Sequence, residues 1–95
     1  MAPKELKVAF DGAVISVHVF VGGQEVALSS VSDDKWSGSE PRNIQGPETT
    51  AKLVFRAPAG TDYTLAITYG GEKIVDDEGE SDAPEFSKPY KVELQ

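Results

Sequence analysis

The chain predicts an all-β fold: an antiparallel two-sheet β-sandwich of about seven strands with no substantial helix. Three observations predict it. Apolar residues alternate with polar ones at a period of two along most of the β-prone stretches. Gly22-Gly23 and Gly70-Gly71 each separate two such stretches, which is the signature of a two-residue type I′ or II′ hairpin. No segment shows the 3.6-residue apolar period of an amphipathic helix.

Taken in order, Leu6, Val8 and Phe10 alternate with Lys7 and Ala9 before the turn signal Asp11-Gly12. Residues 13–21 (AVISVHVFV) are the most β-prone stretch, with Ile15, Val17, Val19 and Val21 on one face. A tight turn at Gly22-Gly23 then pairs Val19 with Val26 and Val17 with Leu28. Residues 52–74 (KLVFRAPAGTDYTLAITYGGEKI) read as three consecutive strands and organise the rest of the chain. Leu53 and Phe55 share a face of the first. Ala57-Pro58-Ala59-Gly60 breaks it, because proline cannot donate to a ladder and glycine tolerates positive φ. Tyr63, Leu65, Ile67 and Tyr69 share a face of the second, and a turn at Gly70-Gly71 sets Ile67 opposite Ile74. A final strand carries Tyr90, Val92 and Leu94 after the breaker Pro89. The expected core is Val17, Val19, Val26, Leu28, Leu53, Phe55, Leu65 and Ile67.

Two stretches read as loops. Residues 29–50 hold only Val31, Trp36 and Ile44 as apolar residues among serine, glycine, proline and charge, with a short edge strand near 35–37 as an option. Residues 76–85 (DDEGESDAPE) are strongly acidic. A repeated pattern also shows: KVAF at 7–10 resembles KLVF at 52–55, and VFVGGQEV at 19–26 resembles ITYGGEKI at 67–74. Duplication and convergence of two meanders with the same turn chemistry both account for it.

Ninety-five residues suggest one domain, able to bury one modest core. No cysteine is present, which excludes disulfides, thiolate metal sites and a cysteine nucleophile. A net charge of −7 argues against nucleic acid and anionic membranes as partners. The start MAPKEL has no apolar run of a signal peptide, and no run reaches transmembrane length. The compartment stays open, with an extracellular or cell-surface module preferred over a cytoplasmic protein.

His18 is the only histidine, lies mid-strand, and no serine sits in a nucleophile-elbow context, so no enzyme is expected. Asp76, Asp77, Glu78, Glu80 and Asp82 offer oxygen ligands of the kind calcium takes. Their spacing is not that of a helix-flanked calcium loop, and a solubilising segment is the preferred reading. No metal and no cofactor are expected. Trp36 is the best pointer to a ligand: an exposed indole provides a flat apolar face and an N–H donor. Asp33, Asp34, Arg42, Asn43 and Gln45 supply polar groups nearby in sequence. The opposing reading has Trp36 folding back to cap the core.

The segment AGTDYTLAI at 59–67 resembles the turn and strand of immunoglobulin-like and fibronectin type III domains. That resemblance implies a sandwich in which the Tyr63 hydroxyl bonds back to the backbone at a corner. Glu78–Ser81 (EGES) and Pro84 are similar to the loop before the last strand of those domains, whereas the early tryptophan of fibronectin type III is missing from the second strand here. Trp36, SEP at 39–41 and Gly46-Pro47 before LVFR also resemble the cysteine-free sandwich of grass-pollen allergens and the carbohydrate-binding half of expansins. The resulting expectation is a monomeric, non-catalytic binding module that contacts carbohydrate through residues 29–50 around Trp36. An immunoglobulin-like protein–protein interaction, adhesion or spacer domain is the alternative.

Overall fold

The structure, a computed structural model, describes residues 3–44 and 46–94. Among the described residues nine strands follow one another: β1 (Lys4–Gly12), β2 (Ser16–Val21), β3 (Gln24–Val26), β4 (Ser29–Ser32), β5 (Lys35–Arg42), β6 (Glu48–Arg56), β7 (Asp62–Tyr69), β8 (Glu72–Glu80) and β9 (Glu85–Glu93). They form a five-stranded sheet A in the order β4-β5-β1-β7-β8 and a four-stranded sheet B in the order β3-β2-β6-β9. Every pairing is antiparallel. The two sheets bury one apolar cluster between them, with Leu6, Val19, Val21, Leu53, Phe55 and Ile67 at 0% exposure. All of the expected core is buried except Leu28, which packs partly buried at its margin.

The structure corrects several expectations. The 29–50 region is not a loop: it contains the β4–β5 hairpin. The acidic 76–85 region is largely strand, because β8 runs on to Glu80. Strand β9 begins at Glu85 and passes through Pro89, which an edge strand with one free side tolerates. Strand β3 ends at Val26, so the Val17–Leu28 pair does not form, and Ile15 lies 74% exposed before β2 begins.

A bulge in β8 decides the chemistry of that strand. Thr68 pairs with Lys73 as the Gly-Gly turn dictates, but Ile67 faces Val75 instead of Ile74. The extra residue reverses the phase of everything after it. Asp77 and Gly79 therefore sit opposite the inward-facing Leu65 and Tyr63, while Asp76, Glu78 and Glu80 take the solvent side. Without the bulge Glu78 would face the core beside Tyr63.

The two halves of the chain are equivalent in topology. Exchanging β1, β2, β3 and β5 for β6, β7, β8 and β9 turns the strand order β5-β1-β7-β8 into β9-β6-β2-β3. Registers follow the exchange. Phe10 pairs with Leu65 across β1–β7, and Phe55 pairs with Val17 across β2–β6. Phe10 also pairs with Trp36, and Phe55 with Phe86. The likeness of KVAF to KLVF and of the two Gly-Gly hairpins thus extends to equivalent places in opposite sheets.

Candidate functional site

Trp36 occupies the inward face of β5, opposite Phe10, and is partly buried against the core. It takes the position that Phe86 takes in the other half. Its Nε1–H is buried without a hydrogen-bond partner among the described residues. An unsatisfied buried donor costs about 1–3 kcal/mol. Trp36→Phe should therefore cost under about 1 kcal/mol, since it keeps the ring and deletes the orphan donor, whereas Trp36→Ala should cost about 2–4 kcal/mol. Urea denaturation checks both, and the wild-type indole should resist acrylamide quenching. A freely quenched indole, or an alanine variant of unchanged stability, would contradict this placement.

The other expected ligand residues do not gather around that ring. Asp33 and Asp34 are exposed in the β4–β5 turn, where the Asp34 carbonyl accepts a hydrogen bond of 2.7 Å from Gly12 N–H. Arg42 lies six positions along the strand from Trp36, roughly 20 Å at the usual rise per residue. Its guanidinium is committed within the protein. Nη1 donates to the Val21 carbonyl at 2.8 Å, Nη2 to the Gln24 and Glu25 carbonyls at 3.3 Å, and Nε to Glu40 at 2.5 Å. This residue latches sheet A onto the β2–β3 hairpin of sheet B. Asn43 is exposed beyond it, and Gln45 lies outside the described residues.

On the opposite side a second latch joins β8 to β9. One oxygen of Asp77 accepts from Lys88 Nζ at 2.8 Å, Tyr90 OH at 2.7 Å and Tyr63 OH at 3.3 Å. The Tyr63 hydroxyl thus bonds to a side chain rather than to a backbone corner. It is the Tyr69 hydroxyl that holds backbone, donating to Arg42 O at 3.0 Å and accepting from Ile44 N at 2.9 Å. Burial of the Asp77 carboxyl would by itself raise its pKa. The hydrogen bonds from Lys88, Tyr90 and Tyr63 and the nearby positive charge outweigh that and hold it below the usual carboxylate range. Lys88 is raised by its hydrogen bond to Asp77, and both tyrosines are raised, first by burial.

The depressed carboxyl contributes stability above its ordinary pKa near 3.8, and that contribution disappears as pH falls through the folded value. The raised Lys88, Tyr63 and Tyr90 contribute below pH 10, and their share is lost as pH climbs through their folded values. Asp77→Asn should lower the melting temperature at neutral pH and flatten the acid limb of the stability profile. About 2 kcal/mol is expected, since Lys88 remains 42% exposed and its share is screened. A variant whose acid limb matches the wild type would remove the latch from this role.

Carboxylates from four separate segments converge at one end of sheet A. Asp11 ends β1, Asp34 sits in the β4–β5 turn, Asp62 opens β7, and Glu78 and Glu80 lie on the solvent side of β8. Together they rim a shallow cleft of about 890 Å³ floored by Gly12, Tyr63 and Gly79. Asp11 accepts a hydrogen bond from Thr64 Oγ1 at 3.3 Å. None of the five carboxylates is ion-paired among the described residues. The calcium candidates are split by strand alternation: Asp76, Glu78 and Glu80 point outward while Asp77 points inward to Lys88. No group of three histidine or acidic side chains among the described residues is arranged to hold a metal. Sequence reasoning missed this cleft, because Asp11 reads as part of a turn, Asp62 carries no signal of its own, and both are far in sequence from the acidic stretch. Comparison with family models, curated proteins and solved structures finds no match for the chain.

Proposed function

We propose that the protein is a non-catalytic interaction module that binds a basic segment of a protein partner at the acidic end of sheet A. One observation carries the reading: five carboxylates from four segments surround one cleft with no cation paired to them among the described residues. Like charges held together raise the free energy of the free domain, and a lysine- or arginine-bearing partner relieves that repulsion while gaining on-rate from steering. The inward placement of Trp36 supports the same choice, since it withdraws the anchor on which carbohydrate contact through residues 29–50 depended.

The test is titration calorimetry with a lysine-rich and an arginine-rich peptide at low and moderate salt. Binding should weaken by about tenfold or more in a variant joining Asp62→Asn to Glu80→Gln, a loss of roughly 1.4 kcal/mol. A control joining Glu48→Gln to Glu93→Gln, which pair at the far end of sheet B, should bind as the wild type does. Equal weakening in both variants would reduce the effect to overall charge and defeat the proposal.

A further inference from the structure

The pseudo-equivalent halves give each outer sheet face a counterpart, and the two faces differ in chemistry. On sheet A the solvent side of β7 carries Thr64, Ala66 and Thr68. On sheet B the corresponding side of β2 carries Ser16, His18 and Phe20. Phe20 stands where the other half has Thr68, so an aromatic ring replaces a short polar side chain on a surface that faces water.

The registers place Phe20 in a row across sheet B, with Glu25 on one side and Lys52 then Pro89 on the other. Beside the ring lies a recess of about 310 Å³ lined by Phe20, Gly23, Thr50 and Lys52. Gly23 borders it at a φ of +82°, with nothing within 4 Å of where a Cβ would stand. The Lys52 ammonium takes part in no ion pair among the described residues. His18 Nδ1 lies 2.5 Å from Glu25 Oε2, which ties one carboxylate oxygen to the imidazole at the end of the row. Charge on this face is mixed, with Lys52, Arg56 and Lys91 set among Glu25, Glu48, Glu85 and Glu93.

We propose that this face of sheet B is a carbohydrate site, with Phe20 as the platform for one pyranose ring of a neutral oligosaccharide. A pyranose has an apolar C–H face to lay on the phenyl ring and the Lys52 stem. Its rim of hydroxyls accepts from Lys52 Nζ, exchanges hydrogen bonds with the Thr50 hydroxyl and donates to Glu25. The recess is at the small end of ligand sites, sized for one ring. The register continues the row from Lys52 to Pro89, the direction in which neighbouring sugars would extend. A balanced surface suits an uncharged ligand, in contrast to the acidic end of sheet A, and the site stands or falls independently of that cleft.

The experiment is a set of three titrations by amide NMR, with maltotriose, cellotriose and the trimer of N-acetylglucosamine at millimolar concentration. At least one should shift the amides of Phe20, Gly23, Thr50 and Lys52 and leave those of Asp62 and Glu80 in place. Phe20→Ala should weaken binding by about tenfold or more, with a dispersed spectrum confirming that the variant is folded. Lys52→Ala should weaken it as well, while Trp36→Phe should not. No shift with any of the three sugars, shifts that survive Phe20→Ala, or a footprint at residues 33–36 would each overturn the site. Shifts at these amides that instead follow protein concentration would identify a second copy of the chain as the occupant and overturn it too.

Discussion

Phe55→Ala should remove about 3–5 kcal/mol of stability, much of what holds a domain of this size together. Phe55 has no exposed surface and sits at the centre of an aromatic cluster. Its ring centroid lies 4.8 Å from Phe86, 5.4 Å from Tyr63 and 5.6 Å from Phe10. Removing it deletes the apolar transfer term and leaves a cavity between rings that belong to both sheets. Stacked and tilted aromatic pairs add about 0.5–1.5 kcal/mol each beyond area burial. The neighbours are pinned by their ladders and cannot collapse far into the gap. Thermal melting should fall by well over ten degrees, at roughly 4–8 °C for each kcal/mol in a domain of this length. Urea denaturation that found a loss below about 1 kcal/mol would show that the assigned inward phase of β6 is wrong.

What could be read from the sequence follows from which features local chemistry dictates. Both Gly-Gly hairpins were legible because positive φ at two successive residues leaves few turn types, and Gly22, Gly23, Gly70 and Gly71 all adopt it. The phases of β1, β2, β6 and β7 were legible because their inward positions are filled with valine, leucine, isoleucine and aromatic residues. Strand β5 was not, because after Trp36 its inward positions are Gly38, Glu40 and Arg42, and it therefore looks like a polar loop. The serine- and acid-rich residues around Trp36 suggested an exposed indole. In an alternating strand, however, the side chains flanking a residue in sequence lie on the opposite face and say little about its burial.

The bulge in β8 carries no mark of its own in the sequence, yet it determines which acidic residues meet solvent. Read as a loop, the stretch from Asp76 to Glu80 promised one cluster of carboxylates. As a bulged strand it splits them, sending Asp77 to Lys88 and Tyr90 and giving Glu78 and Glu80 to the cleft. Asp11, Asp34 and Asp62 reach the same cleft only through the register of β1 with β7 and the Gly12–Asp34 contact. Contacts of that kind join residues far apart in the chain, and no local pattern announces them.

Gly38→Ala should cost about 2–4 kcal/mol, although the residue reads as an ordinary flexible position within SGSE. Its backbone does not require glycine through a positive φ. The reason is steric. The chain crosses from β3 in sheet B to β4 in sheet A through Ala27 and Leu28, and this crossing runs directly over the inward face of β5. A Cβ on Gly38 would collide with the Ala27 carbonyl oxygen and approach Leu28 Cδ2 at 3.1 Å. The leucine side chain can turn aside, but the carbonyl belongs to a connection tied at both ends to a strand. Relief requires β5 to move from β1, or the crossing to lift and carry β4 with it. Gly23→Ala provides the contrast, since space there is open and only the left-handed backbone opposes it, at about 1–2 kcal/mol. Denaturation of the two variants side by side should find Gly38→Ala the more destabilised. Amide exchange should also quicken along β4 and β5 in that variant, while β7 and β8 stay protected. A Gly38→Ala protein as stable as Gly23→Ala would mean that the crossing does not press on β5, and the packing of this side of the sandwich would have to be redrawn.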